Sequence, residues 1–219
     1  MQVGPKILQT FNGIPILTDT LLFAIAVTIV LFIFAKVLTS ELRIIPGRLQ
    51  AAGEIYVTTL VDFIDSLIPG EGRRYLPLIG TIGLFIGVSN ISGFIPYVQN
   101  PTADLNTTLG LALVVFLVSH YEGSKAQGVW NYLKGFAEPV AFLLPLNIIS
   151  ELAKPISHSF RLFGNILGGG IILAFAMEYI PWLIPVPLIA WFDLFVGLIQ
   201  ALVFTLLAIV YIAVQKEED

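Results

Sequence analysis

Cysteine is absent from the 219 residues, which excludes a disulfide framework and any thiolate metal site. Histidine occurs only at His120 and His158, too few to build a metal cage unaided. Charge is scarce: Asp, Glu, Lys and Arg make up 12% of the chain, against about 25% in an average soluble domain. There is no glycine-rich phosphate loop with its lysine, no zinc-type histidine pair and no nucleophile motif, so no cofactor is expected and any nucleotide chemistry belongs to other chains. The formal charge of −4 gives no reason to expect a nucleic-acid partner. The N-terminal residues lack the basic region, short apolar stretch and cleavage site of a removable signal, so membrane entry is expected to be directed by the spans themselves.

Apolar residues are abundant, at 57% of the chain with a mean hydropathy of +0.90. They come in runs long enough to cross a bilayer of roughly 30 Å, for which about 20 helical residues suffice. The expectation is an all-α polytopic membrane protein, residues 1–219 forming one integral membrane domain. Residues 1–19, with Gly4, Pro5, Gly13 and Pro15, are expected as a short external lead-in. Thr20 to Leu38 is the first span. The charged and apolar mixture from Ser40 to Arg74 reads as an interfacial or cytoplasmic segment, with Ile55, Leu60, Phe63, Ile64 and Leu67 near helical spacing for an interfacial helix or an ordinary loop helix. Tyr75 to Tyr97 is a second span whose Gly80, Gly83, Gly87 and Gly93 permit close helix approach. After the polar turn Gln99 to Asp104 comes a third span, Leu105 to Tyr121, and then a loop holding Glu122, Lys125, Lys134 and Glu138.

Beyond Pro139 two apolar stretches, to about Ile180 and from Trp182 to about Val214, are divided by Pro181, Pro185 and Pro187. A helix of about 40 residues would reach roughly 60 Å, twice the hydrocarbon thickness. Residues 139–214 are therefore expected as a long tilted helical hairpin, giving about five membrane helices in all. Pro145 and Pro155 permit local breaks near its start. Lys36, Arg43, Arg48, Arg73, Arg74, Lys125, Lys134 and Lys216 then fall on one side and only Lys6 on the other, which puts the N-terminus outside and the C-terminus inside.

The hairpin contains residues that are costly in lipid: Glu151, Lys154, His158, Arg161, Asn165, Glu178, Asp193 and Gln200. A central Arg, Lys or Asp costs about 2.5–3.5 kcal/mol on insertion scales, so such groups normally face water, each other or an ion. Lys154, His158, Arg161, Asn165 and Gly168 advance by helical steps along one face, and Asp193, Gly197 and Gln200 do the same on the second arm. Two polar faces across one hairpin can line a hydrated path. The competing structural roles are an Arg161 paired with Asp193 or Glu178, a Lys154 at the interface, and a hydrogen-bonded His158 in place of a proton relay. The glycines at 164, 168, 169 and 170 fit either close packing or a neighbour that slides past.

The segment Lys-Pro-Ile-Ser-His-Ser-Phe-Arg-Leu-Phe-Gly-Asn, Lys154 to Asn165, resembles the signature helix of subunit a of F-type ATP synthases. Ile199 to Leu207 and Pro101 to Leu109 resemble further family segments in the expected order, and the likeness weakens before Tyr75. The resemblance implies an ion-translocating, non-catalytic stator subunit with two offset half-channels. It also implies a ring of c subunits against the hairpin, peripheral-stalk b subunits, and a bacterial plasma membrane. Arg161 then matches the essential stator arginine, which favours the ionised form of a passing ring carboxylate. Asn165 and Gln200 match positions near that contact, and Asp104 and Asn106 match an outer polar pair in which Asp104 is equally suited to capping a helix. Many bacterial members carry glutamate where this chain has Gly170, and His or Glu where it has Asp193. Asp193 is therefore expected as the ionisable group of the inlet, and Glu151 as the weaker candidate at the inner exit. The alternatives are a self-contained secondary transporter, which should show two similar halves, and a structural scaffold, which has no need of Arg161.

Overall fold

A computed structural model describes residues 7–11, 14–40, 42–93, 100–138, 140–179 and 185–217. Two short antiparallel strands, β1 (Ile7–Phe11) and β2 (Ile14–Thr18), lead into α1 (Asp19–Ser40). The hairpin is an addition to the lead-in expected from the sequence. Asn12–Gly13 between two runs of β-formers is the sequence signal for these paired strands. Thr18 Oγ1 accepts from the Leu21 backbone N–H at 3.3 Å, satisfying one of the orphan donors at the start of α1.

Helix α2 (Arg48–Leu67) packs against α3 (Gly72–Ser92). The turn between them needs Gly70, whose φ of +79° suits glycine, and Asp65 Oδ1 accepts from the Gly72 N–H at 2.6 Å. Of the apolar residues that suggested this helix, Ile64 is fully buried, Leu60 and Leu67 lean on the core, and Ile55 and Phe63 stay exposed.

Helix α4 (Leu105–Gln127) continues past Tyr121, so Glu122 and Lys125 are helical rather than in a loop. The extension is stabilised because buried Glu122 meets Arg74 Nη2 at 2.6 Å and the Tyr75 hydroxyl at 2.8 Å. A short α5 (Val129–Gly135) follows. Helix α6 (Leu144–Tyr179) runs 36 residues without a break through Pro155, about 54 Å at 1.5 Å per residue. The second arm comprises α7 (Pro185–Ile189), a π-helical stretch (Ala190–Val196) and α8 (Gly197–Glu217). Gly169 against Phe192, His158 against Phe204, and Glu151 bonded to Gln215 show that the two arms run antiparallel. Lys6, Glu41, the 94–99 part of the second run, Pro139, Ile180, Pro181 and Trp182, named above as markers, lie outside the described residues.

Among the described residues, five helical segments are long and apolar enough to cross a membrane: Asp19–Ser40, Gly72–Ser92, Leu105–Gln127, Leu144–Tyr179 and Pro187–Lys216. The core lies mainly between α3 and α8, where Ile79, Ile82 and Ile86 meet Ala201, Phe204, Ala208 and Ile212, with Ala112, Val115 and Leu162 joining from α4 and α6. Lipid removes most of the hydrophobic drive for helix association, so close packing and buried polar links hold the bundle. Small residues provide the packing: a Cβ on Gly83 would stand 2.7 Å from Thr205 Oγ1, and one on Gly123 2.7 Å from the Gln215 carbonyl oxygen.

Candidate functional site

The polar stripe on α6 runs along the rim between its buried and open faces. Its members consequently meet different surroundings. His158 is buried, its ring edge-on to Phe204 at 3.7 Å between centroids and 5.5 Å from Tyr211. Neither ring nitrogen has a hydrogen-bond partner among the described residues. Three residues on, Arg161 is exposed. Among the described residues it forms no ion pair, so neither Asp193 nor the exposed Glu178 is its partner. Asn165 shares this open side. The glycines divide in the same way: Cβ atoms on Gly164, Gly168 and Gly170 would meet nothing within 4 Å, whereas one on Gly169 would stand 2.9 Å from Phe192. Arg161 thus lies on a face of small and polar residues that the other described residues leave uncovered.

Asp193 lies in the π-helical stretch, so the even helical step assumed from sequence does not hold there. It is half-buried and turned toward the end of α3: a Cβ on Gly93 would stand 3.3 Å from Asp193 Cγ. Gly197 packs against Asn90, and buried Gln200 makes no hydrogen bond among the described residues. The second stripe therefore begins against α3 rather than against the stripe on α6.

A buried polar network surrounds this point. Asn90 Nδ2 donates to the Gly197 carbonyl at 2.7 Å, and Thr102 Oγ1 lies 2.5 Å from Asn90 Oδ1 and 2.6 Å from Asn100 Oδ1. Sequence inspection singled out neither Asn90 nor Asn100 as a site residue; an asparagine amid the apolar run of α3 was the available signal. Asp104 is buried and caps α4, accepting from the Asn106 N–H at 2.9 Å, while Thr20 Oγ1 donates to Asp104 Oδ2 at 2.6 Å. The Asn106 side chain is exposed. Thr108 and Ser159 share a buried hydrogen bond of 3.0 Å that ties α4 to α6 beside His158.

At the opposite end, Glu151 gathers several groups. Lys154 Nζ lies 2.5 Å from its Oε1, Gln215 Nε2 donates to Oε2 at 3.2 Å, and His120 Nε2 is 3.7 Å from Oε2. The Tyr132 hydroxyl donates to Gln215 Oε1 at 2.8 Å. Two cavities share Glu151. One, of about 10 Å³, reaches inward past Ser119, His120 and Lys154 to His158, about the volume needed for a single water. The other is a vestibule of about 710 Å³ lined by Gln127, Asn131, Lys134, Glu138, Asn147 and Lys216, among others.

The described residues thus hold one polar cluster toward each end of the bundle, with Arg161 on an open face between them. The model of the family described as ATP synthase A chain matches residues 20–213. The chain is 39% identical to ATP synthase subunit a 2 of Bradyrhizobium sp. (strain BTAi1 / ATCC BAA-1182), over 90% of this chain and 93% of that one. It is 41% identical to ATP synthase subunit a of Moorella thermoacetica over 80% of each chain, and 38% identical to that of Helicobacter acinonychis over 87% of this chain and 86% of the relative. A match that runs from the start of α1 to residue 213 near the end of α8, over the arginine face and most of both polar clusters, shows that the chain belongs to the ATP synthase subunit a family.

Proposed function

We propose that this chain performs no bond chemistry itself and conducts ions, H⁺ or Na⁺, past a rotating ring of c subunits, with peripheral-stalk b subunits holding it still. The observation that carries the proposal is Arg161, a cation in a membrane span with no ion pair among the described residues, set among Gly164, Asn165 and Gly168 on an uncovered face. Such a charge is costly in lipid, and a carboxylate supplied by a neighbouring subunit would offset that cost. The arginine would favour the ionised form of each ring carboxylate as it passes, releasing its ion, and its fixed charge would oppose direct leakage between the two half-channels. Asn165 and Gln200 would line this contact or orient the guanidinium.

In this reading ions enter beside Asp193, load the ring, travel around it, and leave past Glu151. The polar network of Asn90, Asn100, Thr102 and Asp104 supports the inlet, since buried amides and hydroxyls can replace water around a moving ion. The vestibule that meets Glu151 and the small cavity leading on to His158 support the exit. The basic residues at the Glu151 end make that end cytoplasmic by the positive-inside rule, with the N-terminus outside a bacterial plasma membrane. Residues 1–219 would form one integral membrane domain, with the two long arms facing the ring.

The test is ATP-driven cation uptake by proteoliposomes containing the whole purified complex, parent against Arg161→Ala, with and without sodium. Loss of uptake with assembly intact is expected, and sodium dependence would name the ion. Undiminished uptake in the variant would make Arg161 structural and the proposal wrong.

A further inference from the structure

We propose that Asn100, in the turn before α4, is the positioning residue for the Asp193 carboxyl, holding it through an amide donor aimed across Gly93. The inference rests on Asp193 serving as the inlet acid. Asn100 is 92% buried, being 8% exposed, and the orientation of its amide is fixed. Its Oδ1 accepts from the Thr102 N–H at 3.0 Å, as the cap of the short helical turn Pro101–Ala103, and lies 2.6 Å from Thr102 Oγ1, whose one proton it shares with Asn90 Oδ1. The nitrogen is therefore turned the other way, and it has no hydrogen-bond partner among the described residues. A buried amide donor without an acceptor is costly enough to require an explanation.

Gly93 locates the acceptor. The point where its Cβ would stand lies 3.4 Å from Asn100 Nδ2, 3.3 Å from Asp193 Cγ and 3.3 Å from the Asn90 carbonyl oxygen, which the Gly93 N–H already engages. The amide donor and the carboxyl both border the point that Gly93 leaves without a side chain, close enough for a bridging water to join them. The surrounding network makes the arrangement rigid. Thr102 bonds Asn90, and Asn90 bonds the Gly197 carbonyl four residues beyond Asp193. The turn that carries Asn100 and the stretch that carries Asp193 are thereby tied to the same end of α3. A carboxylate held by an amide donor keeps one orientation toward an arriving ion, so Asn100 sets where the ion is received.

A swap of the two groups tests this in the whole complex, reading ATP-driven uptake by proteoliposomes. Asn100→Asp keeps the acceptor that caps the turn, since Asp caps as well as Asn, but replaces the donor with an oxygen facing Asp193. Uptake is expected to fall about tenfold or more, the range of one hydrogen bond to a charged group. Combining it with Asp193→Asn restores one acid and one amide across Gly93, and the double variant is expected to run about fivefold faster than either single one. An Asn100→Asp complex that pumps like the parent, or a swap whose losses simply add, would overturn the inference. Parent-like pumping by Asp193→Asn alone would instead remove Asp193 as the inlet acid, a separate failure. Should Asn100→Asp not assemble, Gly93→Ala, which puts a methyl group between the two, is expected to show a similar loss, and a parent-like rate there would also overturn the inference.

Discussion

Gly169 on α6 and Phe192 in the π-helical stretch touch so closely that a Cβ on the glycine would stand 2.9 Å from the phenylalanine Cβ. One residue earlier, Gly168 has nothing within 4 Å. Gly169→Ala is therefore expected to destabilise the subunit by about 1–3 kcal/mol through overpacking, read as a lower unfolding midpoint of the complex in detergent. Gly168→Ala should leave that midpoint unchanged and instead slow coupled transport, because its methyl group would protrude on the face that bears Arg161. Equal stability losses in the two variants would refute the division of these glycines into packed and open.

Asn90 bonds the Gly197 carbonyl and Thr102 from a fully buried position. Asn90→Leu would take the amide donor from the Gly197 carbonyl and one of the two acceptors beside Thr102 Oγ1, and each buried hydrogen bond lost costs about 0.5–1.5 kcal/mol. Asn90→Gln, which keeps both the amide donor and the carbonyl acceptor on one extra methylene, should cost less. Unfolding midpoints of the two variants check the order, and the reverse order would show that shape, not hydrogen bonding, fills this site.

Just before α3, Glu71 is paired with Lys216 of α8 and with Arg74. The Lys216 hydrogen bond is the main cause that holds the Glu71 carboxyl below its usual 4.5, against an opposing contribution from burial. A carboxyl whose folded value is lowered adds stability above its unfolded value, and that stability disappears as pH falls through the folded value. Glu71→Gln should thus lower the unfolding midpoint at neutral pH by the equivalent of about 0.5 kcal/mol, as for other partly exposed pairs, and by less below pH 4.5. A difference from the parent that persists unchanged into acid would show that the pair contributes nothing through charge.

Glu151 accepts from Lys154 and Gln215 and borders both cavities at its end of the bundle. Glu151→Gln removes a charge while keeping the shape, and is expected to slow coupled uptake about tenfold or more, the scale of a lost proton-transfer group. Glu151→Asp should recover part of the rate. If Gln and Asp variants both match the parent, the exit does not depend on this carboxylate.

The long spans and the separation of the last two arms were legible because hydropathy and the helical period act over many residues. Three features were not. The continuation of α4 past Tyr121 depends on Arg74 meeting Glu122 across 48 positions, which no local pattern encodes. The orientation of Asp193 depends on a π-helical stretch, and the apolar run around it, Ala190–Val196, reads as ordinary helix. The grouping of Asn90, Asn100 and Thr102 with Gly197 is formed by the packing of α3 on α8, so its members look like unrelated polar residues in the chain. By contrast, the hairpin at the start was written locally in Asn12–Gly13.

A π-helical turn holds more residues than an α-helical one, so it acts as a phase shifter within the second arm. Everything before it is rotated relative to α8 by the angle of the extra residue, about 100°. Where Asp193 points is thus set by a count of residues between it and α8, independent of which side chains fill the count. Removing one residue between Asp193 and Gly197 would let the stretch relax to an α-helix and swing the carboxyl away from Gly93, with every side chain of the network still in the sequence. Length in this short interval is as much a part of the site as the acid itself.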